Sequence, residues 1–390
     1  MLLYIHVPFC RSKCGYCGFH SHQPGPGQME SYVDALLLEL AHWGDVYDRP
    51  SVSSVYFGGG TPSLLPPNVI NALGSSIRRN FALKPDVEMT FEGNPETVGA
   101  MDTLQAIKDI GVTRLSMGVQ SLDNAQLAAL GRRHRVRDVY RAIEQAHVIG
   151  FGNINLDLIF GLPGTRLKIW LDTIRAALEL CPQHLSCYAL TVEPDTPLER
   201  ACFDRSITLP DEQETAKMFL YGADLLEEHG FLQYEISNFS KLGFQSRHNL
   251  GYWEGKNYLG LGPSAVSTVR GRRWANPADL GVYVNAVSSK KLDATAEQLT
   301  PEERTKEMVM LRLRTTRGLN LRGYRMLTGR AFMEVHRPLV EALSHKDLVR
   351  INNGYLRLTR HGMLVSDAIL AHMFEREEAA GQGELPSTSG

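Results

Sequence analysis

Three cysteines near the start of the sequence have a spacing that suits metal chemistry. Cys10, Cys14 and Cys17 form a C-x3-C-x2-C pattern directly after a short apolar segment. Clustered thiolates select iron–sulfur clusters, zinc or Cu(I), because sulfur is a soft ligand. A [4Fe–4S] cluster has four irons, so three cysteines leave one iron open to a small molecule. Zinc stays an alternative, since His20 or His22 could complete a Cys3His site, whereas a disulfide would use only two of the thiols.

The composition is that of an ordinary globular protein. Of 390 residues, 43% are hydrophobic and 22% are charged, and the net charge of −2 shows no overall bias towards nucleic acid or a membrane. The length fits one large domain with a smaller one. Apolar runs are too short for a transmembrane helix, signal-peptide features are absent, and six cysteines suit a reducing compartment. We therefore expect a cytoplasmic protein in which Cys181, Cys187 and Cys202 are core thiols.

Predicted strands and helices alternate through the first half of the sequence. Strands are predicted at residues 2–7, 54–57, 87–92, 114–119, 155–160 and 184–190, and helices at 29–43, 67–80, 101–110, 136–149 and 168–180. This alternation implies parallel strands with helices outside them. Six such units predict an α/β fold with a partial (β/α)6 barrel of the TIM type. In such barrels the chemistry lies at the carboxyl ends of the strands.

Polar or glycine-rich residues stand near the ends of most of these strands. Besides the cysteines, they are Gly58-Gly59-Gly60-Thr61, Glu92, Gln120, Asp157 and Thr191. Glycines let backbone N–H groups approach an anion closely, and a carboxylate at the barrel mouth could bind an ammonium group. Taken singly, each has a structural explanation: a tight turn for the glycines, a surface charge for Glu92, and a cap for Gln120 or Asp157. Their shared position favours a binding site, which Arg132 and Arg133 would join only if an anionic ligand lies nearby.

Four segments together resemble one known family. They are YIHVPFC at residues 4–10, FGGGTP at 57–62, SMGVQS at 116–121 and NLDLIFGLP at 155–163. The cysteine pattern and the glycine-rich strand end resemble the radical S-adenosylmethionine enzymes. The whole set is similar to the oxygen-independent coproporphyrinogen III oxidase family, over residues 2–375.

The resemblance implies a cofactor site and names its residues. Cys10, Cys14 and Cys17 would ligate three irons of a [4Fe–4S] cluster, and the fourth iron would take the amino and carboxylate groups of S-adenosylmethionine. Tyr16 would pack beside the cluster. The positions similar to those that contact this cofactor are Tyr4, Gly59, Gly60, Thr61, Glu92, Gln120, Arg132 and Asp157, with Thr191 and Val266 less closely matched. No catalytic residue is assigned.

The family divides into true oxidases and a branch of HemW-type heme chaperones. The oxidases carry a fourth cysteine where this sequence has Phe19, and they have an extension before the first strand. The run HNLGYW at 248–253 resembles the H-N-x-x-Y-W motif of the chaperone branch, which makes His248, Tyr252 and Trp253 candidate heme contacts. From the residues alone, His248 could equally be a buried, hydrogen-bonded imidazole. Val266 departs from the branch, whose members often have histidine there.

The resemblance implies that the protein binds heme and passes it to an acceptor protein, with a one-electron donor serving the cluster. The alternative activity is decarboxylation of coproporphyrinogen III propionates by a 5′-deoxyadenosyl radical. A third hypothesis, a DNA-binding iron–sulfur sensor, rests on the C-terminal region alone. We expect no nucleic-acid partner.

The C-terminal region predicts a mainly helical, winged-helix-like domain. A capping box at Thr300–Glu303 begins a helix that we expect to extend to about residue 318, and Asn353-Gly354 predicts a hairpin. Further helices are predicted at 321–328, 331–345 and 360–374. Residues 301–373 contain thirteen Lys or Arg and seven Asp or Glu, so arginines could meet porphyrin propionates. The predicted domains are the barrel at 1–240, a connecting segment at 241–295, the C-terminal domain at 296–375 and a disordered tail at 376–390.

Overall fold

The computed structural model describes residues 1–381, with side chains as far as residue 377. The chain forms two compact units. The first comprises Met1–Leu232, Phe239–Leu250 and Lys256–Gln298, and the second comprises Gln233–Asn238, Gly251–Gly255 and the residues from Leu299 onward. Most of the segment 241–295, which the sequence predicts as a connection, therefore lies in the first unit. No helix among the described residues is both long and apolar enough to cross a membrane.

A large mixed sheet organises the first unit. Its strands are β1 (Leu2–Val7), β2 (Ser51–Gly59), β3 (Ala82–Gly93), β4 (Arg114–Gln120), β5 (Ile154–Phe160), β6 (His184–Ala189), β7 (Leu232–Gln233), β8 (Asn238–Ser240), β9 (Tyr258–Leu261), β10 (Val266–Val269), β11 (Arg272–Ala275) and β12 (Glu297–Gln298). The strand order is β12-β11-β10-β9-β1-β2-β3-β4-β5-β6-β8-β7. Strands β1 to β6 are parallel neighbours in chain order. Because β1 pairs with β9 and not with β6, the six-stranded part stays open, as a partial barrel requires. The predicted α/β fold class is confirmed.

Helices connect the strands and cover one face of the sheet. They are α1 (Gln28–Val46), α2 (Pro67–Asn80), α3 (Pro95–Val98), α4 (Met101–Asp109), α5 (Asn124–Ala129), α6 (Val136–Val148), α7 (Leu167–Glu179), α8 (Pro197–Phe203), α9 (Glu212–Glu228), α10 (Arg247–Trp253) and α11 (Leu280–Ser288), with a short 3-10 turn at Pro62–Leu64. The five helices predicted from periodicity are confirmed to within three residues at either end. Strands β7 to β12 were not predicted, since strands of two to four residues carry too little alternation to recognise.

The two faces of the parallel strands differ in chemistry. Alternate residues on one face are apolar and pack with the helices in a single buried core; examples are Ile5, Phe57, Phe91, Met117, Leu156 and Leu185. Residues on the other face, which we call the inner face, are mostly polar. They are Tyr4, His6, Ser54, Tyr56, Glu88, Thr90, Glu92, Arg114, Ser116, Asn155, Asp157, His184 and Ser186. Strands of a fully packed parallel sheet are usually apolar on both faces, so the inner face is built for binding.

A short segment closes the inner face at the amino end of the strands. The carboxylate of Glu88 receives hydrogen bonds from the Ser246 hydroxyl (3.3 Å) and the His248 backbone N–H (3.1 Å). Arg114 donates to Glu88 Oε2 at 3.3 Å and to the backbone oxygen of Phe244 at 2.7 Å. Both ionic side chains are more than 90% buried. We call Phe244, Ser246 and His248 the floor of the inner face.

The second unit is mainly helical with a small antiparallel sheet. Its elements are α12 (Pro301–Leu313), β13 (Leu319–Asn320), α13 (Leu321–Thr328), α14 (Phe332–His345), β14 (Val349–Asn352), β15 (Tyr355–Leu358), α15 (Arg360–Leu364) and α16 (Ser366–Gly381). The sheet order is β13-β15-β14. The predicted capping box is confirmed, and so is the hairpin, whose turn residues Asn353 and Gly354 have φ of 50° and 77°.

Three boundaries in the second unit differ from the predictions. Helix α12 ends at Leu313 and not near residue 318, because Gly318 has a φ of 76° and lies against the Leu356 backbone. The single helix predicted at 360–374 is divided into α15 and α16 at Val365. Helix α16 continues to Gly381, past residue 376 where a tail was predicted to begin. Residues 382–390 of that predicted tail lie outside the described residues.

Replacing Arg114 with Met should destabilise the protein by about 3–5 kcal/mol, because Glu88 would stay buried without a cation beside it. Urea-induced unfolding measures this loss. The matched control is Arg247→Met, which removes an ion pair with Asp86 whose side chains are both exposed. Arg247→Met should lower the free energy of unfolding by less than about 1 kcal/mol. Equal losses in the two variants would contradict the importance assigned to the buried pair.

Candidate functional site

The cysteines lie on a loop whose two ends are tied together. The Cys10 backbone N–H donates to the oxygen of His22, and the His22 N–H donates to the oxygen of Pro8, each at 2.9 Å. Cys10, Cys14 and Cys17 are partly exposed and form no disulfide. Among the described residues, no three His, Cys, Asp or Glu side chains converge on one point as ligands of a single metal ion would. Ligation of separate irons of a cluster does not require such convergence.

The glycine run after β2 packs against the chain that leads into this loop. The Gly60 N–H donates to the oxygen of Val7, and the Thr61 N–H donates to the oxygen of Phe9, both at 2.7 Å. A Cβ atom at Gly60 would lie 2.5 Å from the oxygen of Phe9, and one at Gly59 would lie 2.6 Å from His6 Nδ1. Gly59 also has a φ of 105°, which only glycine adopts readily. The glycines are therefore required for the close approach of these two segments.

Hydrogen bonds link two of the cysteines through the loops that follow β2 and β3. Thr61 Oγ1 donates to Cys10 Sγ at 3.4 Å and accepts from Asn94 Nδ2 at 3.2 Å. Arg132 donates to Asn94 Oδ1 at 2.5 Å and to Cys14 Sγ at 3.6 Å. The guanidinium of Arg132 thus lies beside a thiol. Asn94, which directly follows the end of β3, was not among the predicted site residues.

Tyr16 packs within the cysteine loop against a small apolar cluster. That cluster contains Leu130, Ile159 and Leu162. Burial raises the pKa of the Tyr16 hydroxyl, although the neighbouring Arg132 acts in the opposite direction. The ring is therefore neutral and held beside the thiols, where the sequence resemblance places it.

Two carboxylates lie close together on the inner face. Tyr56 Oη donates to Glu92 Oε1 at 2.5 Å. Burial raises the pKa of Glu92 to about 8, and repulsion from Asp157 adds to the effect. Burial also raises the pKa of Asp157, although Ser186, Asn155 and Ser116 hydrogen-bond to it. A positively charged ligand group would relieve the repulsion between the two carboxylates.

A polar network supports Asp157 from within the inner face. Asn155 donates through Nδ2 to Asp157 Oδ1 and to Ser116 Oγ, both at 2.8 Å. His184 Nδ1 contacts Asn155 Oδ1 at 2.6 Å. Burial lowers the pKa of His184, so its ring is neutral. The sequence prediction missed these residues, although polar side chains at alternate positions of β4, β5 and β6 were a detectable signal.

The remaining predicted cofactor residues are Tyr4 within β1 and three residues at or just beyond strand ends. Tyr4 is on β1, and its hydroxyl is 3.2 Å from His6 Nδ1. Gln120 ends β4 at an irregularity in the pairing with β5 and has a φ of 66°. Thr191 is exposed just after β6, and Val266 is exposed at the first position of β10. The structure brings the glycines, Glu92, Asp157 and Arg132 to one region.

A shallow cleft opens beside Cys14. Its lining includes Arg11, Arg132 and Arg133, together with Glu96. The exposed side of the cysteine loop is therefore predominantly positive.

His248 is buried in the floor of the inner face. Its side chain is only 1% exposed, and Nδ1 is 2.9 Å from Ser54 Oγ. Burial lowers the pKa of the imidazole to about 3. This is the buried, hydrogen-bonded imidazole that the sequence left open as an alternative. Tyr252 and Trp253 are half-buried and belong to the second unit, further along α10.

Comparison with known proteins was made against families, sequences and solved structures. Residues 4–177 match the Radical SAM superfamily, and residues 299–365 match the HemN C-terminal domain. The heme chaperone HemW of Bacillus subtilis is 34% identical over 368 residues, covering 94% of this chain and 97% of that protein. The chain belongs to the HemW family of radical S-adenosylmethionine proteins. HemW of Mycobacterium tuberculosis is 35% identical over 372 residues, covering 94% of this chain and 93% of its own length.

A solved structure agrees with this fold. Coproporphyrinogen III oxidase (HemN) of Escherichia coli has a TM-score of 0.82, with 95% of this chain and 89% of that chain covered. Its sequence identity is 24%, so the likeness establishes the fold alone. The family resemblance predicted from the four sequence segments is confirmed, and membership implies a [4Fe–4S] cluster and S-adenosylmethionine.

The residues present fit that pair of cofactors. Three free thiols supply soft ligands on a single loop. Gly59 and Gly60 let the end of β2 pack against the start of the cysteine loop, which keeps the thiols beside the strand ends. Glu92 and Asp157, whose pKa values are raised, are carboxyl groups that a bound ammonium or sulfonium group would stabilise in the charged form.

Glu92→Gln should stabilise the ligand-free protein increasingly as the pH rises from about 4.5 to 8. Unfolded glutamate has a pKa of about 4.3, whereas folded Glu92 has a pKa of about 8. The folded state therefore holds the proton over this range, and its stability falls as the pH rises. The free energies of unfolding of Glu92→Gln and the unmodified protein, obtained from thermal unfolding, should differ by about 1 kcal/mol or more at pH 8.

The control for this prediction is Glu96→Gln. Hydrogen bonding from His134 holds the pKa of Glu96 below its usual value despite partial burial, so this change should destabilise the protein above pH 4.5. If the free energies of unfolding of Glu92→Gln and of the unmodified protein changed with pH in parallel, the pKa of Glu92 would not be raised.

Proposed function

We propose that this protein is a heme chaperone that binds a [4Fe–4S] cluster, S-adenosylmethionine and heme, and that transfers heme to an acceptor protein. The observation that carries the proposal is the similarity to HemW heme chaperones along almost the whole length of both chains. The positions of Phe19 and of the HNLGYW run agree with that branch. The free thiols also suit a reducing compartment, which we propose is the cytoplasm.

In this proposal Cys10, Cys14 and Cys17 hold the cluster. When bound and reduced by one electron, the cluster supplies reductive chemistry at the sulfonium of S-adenosylmethionine. The cysteine loop is fixed at its ends by Pro8 and His22 and packs on the glycine run. The contact between Arg132 and Cys14 places a cation beside the cluster thiolates. The positive lining of the cleft beside Cys14 suits an electron donor with an acidic surface.

We assign the S-adenosylmethionine groups by charge. Glu92 would accept hydrogen bonds from the ammonium group, because its carboxylate lies on the inner face and is oriented by Tyr56. Gly59 and Gly60 are further proposed contacts of the cofactor, through backbone atoms other than the Gly60 N–H, which donates to Val7. The further proposed contacts are Tyr4, Thr61, Gln120, Arg132, Asp157, Thr191 and Val266.

We propose Tyr252 and Trp253 as contacts for the heme macrocycle, because aromatic side chains pack well on a flat ring system. We do not propose His248 as an axial ligand of the heme iron. Its imidazole is enclosed by protein and hydrogen-bonded to Ser54, so heme could reach it only after the inner face had been opened. Arginines of the second unit remain proposed partners for the propionates.

Coproporphyrinogen III oxidase activity is the second candidate. The residue that favours it is Val266, which stands where chaperone-branch sequences often carry histidine. The two functions differ in their products. Oxidase activity converts coproporphyrinogen III to protoporphyrinogen, whereas a chaperone binds heme without decarboxylating a substrate.

One experiment separates the two candidates. The protein is reconstituted anaerobically and supplied with reductant, S-adenosylmethionine and coproporphyrinogen III, and heme is titrated in parallel. We expect stoichiometric heme binding and no protoporphyrinogen. Formation of protoporphyrinogen over many turnovers would refute the chaperone proposal.

Cys14→Ala should lose most of the iron and sulfide after anaerobic reconstitution, because one iron of the cluster would have no protein ligand. Chemical iron and sulfide analysis measures the loss. The control is Cys181→Ala, which removes an exposed thiol two residues after the end of α7. The prediction that Cys181 is a core thiol is therefore wrong. If both variants retain the unmodified protein's iron content, the proposed cluster site is wrong.

A further inference from the structure

His248 is fixed in the floor of the inner face at three points. Its backbone N–H donates to Glu88 Oε1 at 3.1 Å. Its Nδ1 atom lies 2.9 Å from the hydroxyl oxygen of Ser54. Its ring lies 4.9 Å from the ring of Tyr56, at an angle of 32°. These contacts hold the imidazole in one orientation, beneath the residues proposed to bind the cofactor.

Tyr56 is the link between this imidazole and the inner-face carboxylate. Ser54 and Tyr56 are two positions apart on β2, so both side chains are on the inner face. The Tyr56 ring contacts His248 on one side, and its hydroxyl donates to Glu92. The Tyr4 ring completes the group at 6.1 Å from Tyr56 and 6.4 Å from His248. If the imidazole were absent, a void would lie beside the Tyr56 ring.

The neutral state of His248 suits a role in positioning. Burial disfavours the imidazolium, and the imidazole contacts the phenol of Tyr56 and the hydroxyl of Ser54 without adding a charge. A permanent cation here would compete with a ligand ammonium for the carboxylates. The charge of Glu88 is balanced by Arg114 at 3.3 Å. The floor therefore supports the Glu92 region sterically and leaves its negative charge available.

We infer that His248 is a positioning residue for the carboxylate of Glu92. It holds Tyr56 in place, and Tyr56 orients Glu92 towards the ammonium group of S-adenosylmethionine. The inference rests on the proposed function, because it assumes that Glu92 receives that ammonium group. It assigns the first residue of the HNLGYW run to the S-adenosylmethionine site and not to heme. Two variants distinguish the assignments, because heme ligation needs a ring nitrogen whereas support of Tyr56 needs a ring of similar size.

The test compares His248→Phe with His248→Ala in the reconstituted full-length protein. Phenylalanine keeps an aromatic ring beside Tyr56 and has no ligand atom, whereas alanine removes both. Binding of S-adenosylmethionine is measured by calorimetry without reductant, and heme binding by its absorption spectrum and stoichiometry. We expect His248→Ala to bind S-adenosylmethionine roughly 10-fold more weakly, the loss typical of weakening one hydrogen bond to a charged group. His248→Phe should remain within about 3-fold of the unmodified protein, and both variants should keep its heme spectrum.

The matched control for the linking contact is Tyr56→Phe, which keeps the ring and removes the hydroxyl that donates to Glu92. It should weaken S-adenosylmethionine binding as much as His248→Ala does, and the heme spectrum should not change. A changed heme spectrum in both His248 variants would make His248 a heme ligand and overturn the inference. Unchanged S-adenosylmethionine affinity in His248→Ala would also overturn it. If the unmodified protein fails to bind S-adenosylmethionine, the proposed function itself fails, and the inference fails with it.

Discussion

Enclosing several ionisable side chains on one face of a parallel sheet is the constraint on which the rest of this structure depends. Glu88, Glu92 and Asp157 each lose hydration there, and removing a charge from water is costly unless a partner compensates for it. Arg114 compensates for Glu88 with a direct ion pair. Burial raises the pKa of Glu92 and of Asp157, repulsion from Asp157 raises that of Glu92 further, and Arg132 partly opposes the shift at Asp157. No direct ion pair compensates Glu92, so a cationic ligand would stabilise that part of the inner face.

The cysteine loop depends on a different constraint, which is close backbone contact. The loop itself contains few apolar side chains that could anchor it, and two backbone hydrogen bonds between its ends define its shape. The loop can lie against the end of β2 only because Gly59 and Gly60 have no side chains. Thr61 and Arg132 then attach the thiols of Cys10 and Cys14 to the strand ends. Relative placement of thiols and carboxylates thus comes from backbone geometry more than from side-chain packing.

The parallel strands and their helices could be predicted because their signals are local. Each of these strands is a short apolar or alternating run bounded by Gly, Pro or a polar residue, and each predicted helix has a 3.6-residue period. The cysteines, the glycine run and Glu92 could be found in the same way, since each is a compact motif or a single polar residue at a strand end. The later strands of the sheet were missed because each has only two to four residues and so carries little local signal.

The environment of His248 could not be predicted from the sequence. Its partners Ser54 and Glu88 are 194 and 160 positions away along the chain. A motif shows which side chain is present, but only the fold shows what encloses it. The same limit applies to Asn155 and His184, which are ordinary polar residues of β5 and β6 until the sheet brings their side chains together.

The raised pKa values of Glu92 and Asp157 affect the stability of the protein before a ligand binds. The ligand-free fold is weakened by its own charge distribution, and a ligand that supplies the missing positive charge binds only the folded state. Ligand binding then adds to the free energy of unfolding in proportion to the logarithm of ligand concentration over its dissociation constant. Newly made chains would therefore resist proteolysis according to how much of this ligand the cell contains, so the ligand would influence the abundance of the protein as well as its activity.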